Sequence, residues 1–285
     1  MEISLALGGG GAKGNAHLGV IKVLEREGYQ IRAVAGTSAG GMVAAVYAAG
    51  YQPEEIIDIF DGIDQNELYS LGNGPALLGM TGISKTLGKF IDQESFQDLG
   101  MPCALTAVDL KSMQEVILKK GSVREAILAT IAIPGIFPPR EWGDYRLIDG
   151  GVVDPVPVKV ARSLAPDLPV VAVSLSTLTE EEIELLPNTL FREPPILKPI
   201  AKLRVAQAFD IFLRSVILAQ HTLSEARLEI EKPDYVITPE VAHIGYLEKV
   251  NVKEVAALGE QAAERALPEL QKNLKWRFRL GRIFG

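Results

Sequence analysis

The first fifty residues alternate short apolar runs with amphipathic segments. The apolar runs 3–7 and 31–35 predict two buried strands, and each run leads into glycine-containing residues. Helices are predicted over 15–27, where apolar side chains recur on one face, and over 39–49. Because strands and helices alternate, the pattern predicts a parallel sheet covered by helices and joined by right-handed crossovers.

The rest of the chain continues this mixture without an internal repeat. Ser122 and Glu125 fit a capping box that opens a helix, which the prolines after Ile133 bring to an end. Residues 71–88 are glycine-rich and lack a period, so they are predicted to form a loop or mobile cover. Residues 180–232 are predicted to be a mostly helical excursion from the sheet. Further strands are predicted over 103–110, 115–119, 145–148, 170–175 and 235–238, and a long helix interrupted near Pro268 is predicted over 252–278.

Composition narrows the class of protein. The 285 residues are 47% hydrophobic and 23% charged, as in ordinary globular domains and unlike disordered chains. The net charge of −7 argues against nucleic acid as a partner. The lone Cys103 excludes an internal disulfide and a cysteine-based zinc site. No basic leader or long apolar run is present, so a cytoplasmic protein, at most peripheral at the inner membrane face, is the default expectation.

Residues 36–40 read Gly-Thr-Ser-Ala-Gly between a predicted strand and a predicted helix. This context is the one that a nucleophile elbow requires, because a sharp turn lifts the Ser38 hydroxyl above the edge of the sheet. The flanking Gly36 and Gly40 suit such a turn, where side chains would collide. The alternative is that Ser38 only caps the helix that follows.

A second glycine-rich turn, residues 8–14, also lies between a strand and a helix. Its spacing matches a dinucleotide-binding fingerprint, but that motif needs an acidic residue near the end of the second strand, where this chain has Ser38. A P-loop also fails, because Lys13 is followed by Gly14. The better interpretation is an oxyanion hole, in which backbone N–H groups of the turn face the oxygen that gains charge. The residues assigned to it are Gly9, Gly10, Gly11, Lys13 and Gly14, with the N–H groups of Gly10 and Gly11 as the donors.

A serine nucleophile needs a base, and Asp149 is the strongest candidate. It follows the predicted strand 145–148 and precedes two glycines, which allow close approach of a ligand or of backbone. An aspartate is a weak base at its ordinary pKa, but burial in an apolar pocket raises that pKa. Asp109 and Asp154 are interpreted as turn formers.

The histidines offer a rival arrangement. Ser38, Asp149 and His243 occur in the chain order of an α/β-hydrolase triad. Those folds, however, place several strands before the elbow, whereas only one precedes the strand that leads to Ser38. His243 and His221 have no neighbouring motif, and His17 lies close enough to the glycine turn to support it. A packing or surface role is therefore expected for each histidine.

Three blocks in this order resemble the patatin-like phospholipases: the glycine turn at 9–14, the elbow at 36–40 and Asp-Gly-Gly at 149–151. The segments 133–139 and 153–157 also resemble that family, and the resemblance covers about 3–176. The chain is most similar to a stand-alone bacterial-type member. One departure is Thr130-Ile131, which stands where small hydroxyl residues often precede the Ala-Ile-Pro sequence, and it affects the expected shape of the pocket.

The resemblance implies a three-layer α/β/α fold with a mainly parallel central sheet, here as one domain over 1–285. It implies a Ser38–Asp149 dyad, an oxyanion hole in the glycine turn, and acyl lipids as substrates, with no cofactor and no metal. The expected activity is that of a phospholipase A or lysophospholipase. A thioesterase, an acyltransferase and a non-catalytic lipid-binding or regulatory protein are the alternatives.

The carboxyl-terminal tail, residues 271–285, carries five basic residues and no acidic one. As a helix it would place apolar and basic side chains on different sides, as helices that lie on anionic lipid do. Docking on the protein's own surface and a contact in a homo-oligomer are the alternatives. The residues that would make the membrane contact are Trp276, Arg279, Arg282 and Phe284.

Overall fold

The computed structural model describes 1–64, 68, 70–71, 76–91, 94–176 and 204–284, with side chains for all of these except 70–71, 204–210 and 275–284. Most strands belong to one eight-stranded sheet, in the order β10-β9-β1-β2-β5-β8-β7, with β6 paired to β5. The run from β10 to β5 is parallel, and β6, β7 and β8 are antiparallel, which confirms a mainly parallel sheet. The strands are β1 (Glu2–Leu7), β2 (Gln30–Thr37), β3 (Ser70–Leu71), β4 (Leu78–Gly79), β5 (Cys103–Asp109), β6 (Gln114–Leu118), β7 (Arg140–Trp142), β8 (Tyr145–Asp149), β9 (Val170–Val173) and β10 (Tyr235–Ile237).

Helices cover both faces of this sheet. Ile3, Leu5 and Leu7 belong to the larger apolar cluster, together with residues of α1, α2 and α8. Ala6 belongs to a second cluster, with α6 and Leu228 of α7. This alternation along β1 gives the three layers. The α-helices are α1 (Ala16–Arg26), α2 (Ala39–Ala48), α3 (Pro53–Asp61), α4 (Thr81–Leu87), α5 (Val123–Thr130), α6 (Val158–Leu164), α7 (Arg204–Glu231) and α8 (Val252–Phe284). Two 3₁₀ turns lie at Gly11–Asn15 and Gly150–Val152.

The placement of β8 decides where the site forms. β5 pairs with β2 through Cys103–Thr106 and with β8 through Ala107–Asp109. β6 pairs with β5 over Leu105–Asp109. This range overlaps the β5 residues that pair with β2 and those that pair with β8, so β6 must lie on the opposite edge of β5 from both. Strands β2 and β8 therefore share one edge of β5. Because they run in opposite directions, their carboxyl ends meet.

Several local predictions need correction. Residues 71–88 were expected to form a loop, but they include β4 and α4, because Leu78 and Leu87 are buried in the core. The helix predicted over 252–278 runs to Phe284 as α8, with Pro268 inside it rather than interrupting it. Strand β7 had no prediction, and its residues become a strand by pairing with β8. Of the excursion predicted over 180–232, the part before residue 204 lies outside the described residues.

None of the helices that the structure describes is both long and apolar enough to cross a bilayer. The backbone of the tail belongs to α8 as far as Phe284. The side chains of Trp276, Arg279, Arg282 and Phe284 lie outside the described residues, so the membrane and oligomer interpretations of the tail stay predictions.

Candidate active site

Ser38 lies at the sharp turn between β2 and α2. Its φ of 54° is in the left-handed region, which non-glycine residues rarely adopt and which marks strained functional turns. The turn brings the backbone of Gly40 against β1, where a Cβ would lie 2.3 Å from the carbonyl oxygen of Leu7. The Ser38 side chain makes no capping hydrogen bond to α2. The structure therefore favours the elbow interpretation of residues 36–40 over a simple helix cap.

The Ser38 hydroxyl donates a hydrogen bond of 2.6 Å to Oδ2 of Asp149, and both residues are buried. The other carboxylate oxygen, Oδ1, accepts a hydrogen bond of 2.8 Å from the N–H of Gly151. Burial raises the pKa of Asp149 to about 6, although these two hydrogen bonds oppose the rise by favouring the charged form. A carboxylate with such a pKa is a better proton acceptor than an exposed aspartate and is still ionised at neutral pH.

Three threonines hold the backbone beneath this pair. The N–H of Ser38 donates to the hydroxyl of Thr130 over 2.9 Å, and that hydroxyl donates to the carbonyl of Thr106 over 2.6 Å. The hydroxyl of Thr37 donates to the carbonyl of Asp154 over 2.8 Å and lies 2.7 Å from the hydroxyl of Thr106. Each of these polar groups is thus satisfied in a buried setting, where an unpaired one would be costly. In the sequence, Thr130 stands out only as a departure from the family pattern, and the pattern predicts no role for it.

The glycine turn lies directly against the nucleophile. A Cβ on Gly9 would lie 3.3 Å from the Cβ of Ser38, and one on Gly14 would lie 2.5 Å from the Cβ of Ala39. Lys13 is buried within the same 3₁₀ turn. The structure therefore brings all five residues assigned to the oxyanion hole to the amino-terminal end of α2.

Two N–H groups of the turn are available to a ligand. The N–H groups on either side of them, from 8–9 and 12–13, donate to backbone carbonyls over 2.9 to 3.3 Å. In this fully described stretch of the chain, the N–H groups of Gly10 and Gly11 have no hydrogen-bond acceptor. Gly11 has a φ of 58°, and a Cβ there would lie 2.1 Å from the carbonyl oxygen of Tyr246. Only glycine fits this position. Gly10 and Gly11 are the two residues that the sequence analysis proposes as donors, and that role stays a prediction.

An apolar cavity of about 170 Å³ opens beside Ser38. Its walls come from several parts of the chain, including α2, α4 and the segment that leads into α8. Few polar side chains face it, so it suits a hydrocarbon chain better than a polar group. The residues that line it include Met42, Val43, Phe60, Ile83, Leu87, Phe90, Ile131, Phe137, Tyr246 and Val252. The contribution of 246–252 could not be predicted from the sequence, because that loop carries no motif.

The histidines take the packing and surface roles that were expected. His17 is buried and donates from Nε2 to the carbonyl of Gly8 over 2.7 Å, and burial lowers its pKa to about 4. It therefore supports the glycine turn as a neutral ring. His221 bonds to the carbonyl of Ser176, and His243 is exposed. No hydrogen bond joins a histidine to Ser38 or Asp149 among the described residues.

The two aspartates interpreted as turn formers differ from each other. Asp109 has the contacts of a turn former, since its carboxylate accepts hydrogen bonds of 2.8 Å from the N–H groups of Ser112 and Arg146. Asp154 is fully buried, with Arg227 of α7 at 3.9 Å, and burial raises its pKa to about 8.

No group of acidic, histidine and cysteine side chains in the described ranges is arranged to hold a metal ion.

The chain therefore combines a three-layer α/β/α fold with a buried serine–aspartate pair at the carboxyl end of a central strand. The profile of one family, described as patatin-like phospholipase, matches residues 5–162. The chain belongs to the patatin-like phospholipase family.

Individual relatives agree with this assignment. An uncharacterized NTE family protein of Mycobacterium tuberculosis is 34% identical over 179 residues, which are 61% of this chain and 49% of that protein. Lysophospholipase NTE1 of Mycosarcoma maydis is 31% identical over 174 residues, 58% of this chain and 9% of that protein. The chain thus matches about half the length, or less, of these curated relatives. The crystal structure of VipD from Legionella pneumophila shares the fold, with a TM-score of 0.59 at 14% identity, over 94% of this chain and 67% of that one.

Proposed function

We propose that the protein hydrolyses acyl esters of lipids of the phospholipase A or lysophospholipase type, with Ser38 as nucleophile and Asp149 as base. The observation that carries the proposal is the 2.6 Å hydrogen bond from the Ser38 hydroxyl to Asp149 at a strained turn. The named activity of the Mycosarcoma maydis relative, a lysophospholipase, points to the same chemistry.

The geometry supports a two-step reaction. Asp149 accepts the proton of the Ser38 hydroxyl as its oxygen attacks the ester carbonyl. The carbonyl oxygen gains negative charge, which the N–H groups of Gly10 and Gly11 stabilise. The tetrahedral intermediate then collapses, and the alcohol leaves with the proton that Asp149 holds. The acyl group remains on Ser38, and water, activated by Asp149, releases it as a fatty acid.

The cavity supports a lipid as the acyl donor. Its lining is mainly apolar, so the acyl chain enters it while the alcohol portion stays toward solvent. Burying a methylene contributes about 0.8 kcal/mol, so a long chain adds binding energy that a short chain lacks. This is a reason to expect turnover to improve with acyl length until the cavity is filled.

The direct test is labelling by a fluorophosphonate probe, followed by hydrolysis of p-nitrophenyl esters of graded chain length. Ser38→Ala is expected to abolish labelling and turnover, and Asp149→Asn to lower kcat by about a thousandfold or more. His221→Gln and His243→Gln are the matched controls and are expected to stay within about threefold of the unchanged protein, since neither ring contacts the dyad.

Two results would contradict the proposal. Undiminished hydrolysis by purified, folded Ser38→Ala would exclude Ser38 as nucleophile. If His243→Gln were as damaging as Asp149→Asn, a triad would replace the dyad. Circular dichroism of each variant separates loss of activity from loss of fold.

A further inference from the structure

Exposed apolar side chains are unevenly distributed over the molecule. Eight large hydrophobic residues are exposed among those described, and six of them lie at or beyond the sheet edge that carries Ser38. The other two are Met1, at the opposite end of β1, and Ile230, near the carboxyl end of α7. The six are Leu110, Met113, Tyr145, Ile211, Phe212 and Leu218.

The first three lie on two hairpins that extend past the active-site edge. β5 continues three residues beyond the level of Thr37 before it turns back at Leu110. Tyr145 is four residues before Asp149 on β8, which places it about 13 Å beyond the dyad at 3.3 Å per residue. The two tips are joined, because the N–H of Leu110 donates to the carbonyl of Arg146 over 2.9 Å. They form one continuous projection.

The other three lie on the first half of α7, which extends past the same edge. Arg227 approaches Asp154, whose carbonyl is bonded to Thr37 at the end of β2. Further along, Arg162 of α6 donates to the carbonyl of Glu231, so the second half of the helix descends along the sheet. The preceding residues therefore extend away from the sheet, and Ile211 lies sixteen residues before Arg227, about 24 Å along the helix at 1.5 Å per residue.

The charge of these projections differs from that of the whole chain. Their described charged side chains are the cations Lys111, Arg140, Arg146 and Arg214 and the carboxylates Asp109, Glu115, Glu141 and Asp144. The two signs balance here, whereas the chain as a whole carries −7. Exposed apolar side chains next to cations complement the phosphates and acyl chains of a lipid layer. Tyr145 adds the residue type that prefers membrane interfaces.

We propose that these hairpin tips and the first half of α7, the docking edge, are the surface by which the protein sits on a lipid layer with its active site facing the lipid. The exposed apolar side chains of the docking edge are the six named above: Leu110, Met113, Tyr145, Ile211, Phe212 and Leu218. The proposal rests on the proposed function, since a lipid hydrolase has to draw its substrate from a bilayer or micelle. The test has two other outcomes: a second copy of this chain covers this surface, or the basic tail at 271–285 makes the membrane contact in its place.

Flotation with vesicles of equal parts phosphatidylcholine and phosphatidylglycerol tests the proposal. Two double variants are compared with the unchanged protein, Met113→Ser with Tyr145→Ser and Ile211→Ser with Leu218→Ser. Each is expected to lower the partition into vesicles about tenfold or more, because apolar surface that enters the lipid is lost. Ile230→Ser is the matched control, with a 77% exposed residue on the same helix but away from the edge, and its partition is expected to be unchanged.

Hydrolysis of p-nitrophenyl butyrate without lipid separates docking from chemistry. Both double variants are expected to keep this activity within about twofold, because their residues are at the surface and do not line the cavity. If the unchanged protein hydrolyses no ester but the variants still lose binding, the proposed function fails and the docking edge stands. Partition equal to that of the unchanged protein in both variants would overturn the proposal. Two further results would overturn it. In the first, both variants bind vesicles normally, but truncation after Asn273 abolishes binding. In the second, the variants change from dimer to monomer and still bind vesicles as the unchanged protein does.

Discussion

The ammonium group of Lys13 lies 5.5 Å from the centroid of the Tyr246 ring. The carbonyl of the same tyrosine accepts a hydrogen bond of 2.9 Å from the N–H of Ala12. Burial and the nearby charge of Asp149 both raise the pKa of the Tyr246 hydroxyl. Tyr246 and Ser38 line the same cavity. Tyr246 therefore contacts the glycine turn through both its ring and its backbone and forms part of the cavity wall.

Replacing the Tyr246 ring is expected to loosen the glycine turn. A desolvated cation–π contact contributes up to about 2 kcal/mol, so Tyr246→Leu is expected to lower kcat about tenfold. Tyr246→Phe keeps the ring and is expected to stay within about threefold. Steady-state kinetics on a p-nitrophenyl ester measure both. Equal losses in the two variants would mean that the hydroxyl, rather than the ring, carries the effect.

Thr130 is expected to hold the strained turn at Ser38. Thr130→Val keeps the shape of the side chain but leaves the buried N–H of Ser38 without an acceptor, which costs about 1–3 kcal/mol. Thermal unfolding should report this loss, and kcat should fall with it. Thr130→Ser keeps the hydroxyl and serves as the control. If Thr130→Val unfolds at the temperature of the unchanged protein, this hydrogen bond contributes nothing to stability.

Activity is expected to rise with pH through a single ionisation near the Asp149 value of about 6, since only the charged carboxylate accepts the serine proton. The measurement is kcat/KM between pH 4.5 and 8 on a neutral ester. His17 is not expected to contribute, because its pKa is lowered to about 4 and its ring stays neutral over this range. A profile that is flat from pH 5 to 8 would rule out a titrating Asp149 as the base.

The ionisation of Asp149 is expected to lower the free energy of unfolding as the pH rises, whereas it raises activity. The folded pKa of Asp149 is above the unfolded one, so between about pH 4 and 6 the folded chain keeps a proton that the unfolded chain has lost. This contribution to the free energy of unfolding is therefore present at low pH and is lost as the pH rises through 6. Asp149→Asn should exceed the unchanged protein in stability by on the order of 1–3 kcal/mol at pH 8 and match it near pH 4. Urea unfolding of both proteins at the two pH values tests this, and a difference independent of pH would contradict it.

Narrowing the cavity is expected to change the acyl preference. Met42 lies one turn after Ser38 on α2 and lines the cavity. Met42→Trp should leave butyrate ester hydrolysis within about threefold and lower hydrolysis of long-chain esters about tenfold or more, because the added ring occupies the space of the chain. The ratio of kcat/KM for a long and a short p-nitrophenyl ester is the measurement. An unchanged ratio would show that acyl chains bind elsewhere.

Local patterns were enough to predict the elbow and the glycine turn. Each depends on a strand, a turn and a helix within about fifteen residues, so its order can be read locally. The close contacts that require glycine come in part from distant segments, since a Cβ on Gly11 would meet Tyr246 and one on Gly40 would meet Leu7. The structure confirms this local geometry at Gly11 and at Ser38, where the backbone adopts positive φ. Predictions over longer or less periodic stretches were weaker. The helix α4 escaped notice because tertiary burial of Leu87, rather than a periodic pattern, stabilises it.

The sequence by itself determined which residues are the candidates for the chemistry, because a nucleophile elbow, a glycine turn and an Asp-Gly-Gly turn each need a particular residue type at a particular place. Only the tertiary structure decided how they meet. Ser38 and Asp149 are 111 residues apart. They come within 2.6 Å because β2 and β8 pair with consecutive parts of the same edge of β5 and run in opposite directions. Strand pairing and the packing of 246–252 against the glycine turn join distant segments, and the hydrophobic pattern of one segment carries no information about which distant segment it will contact.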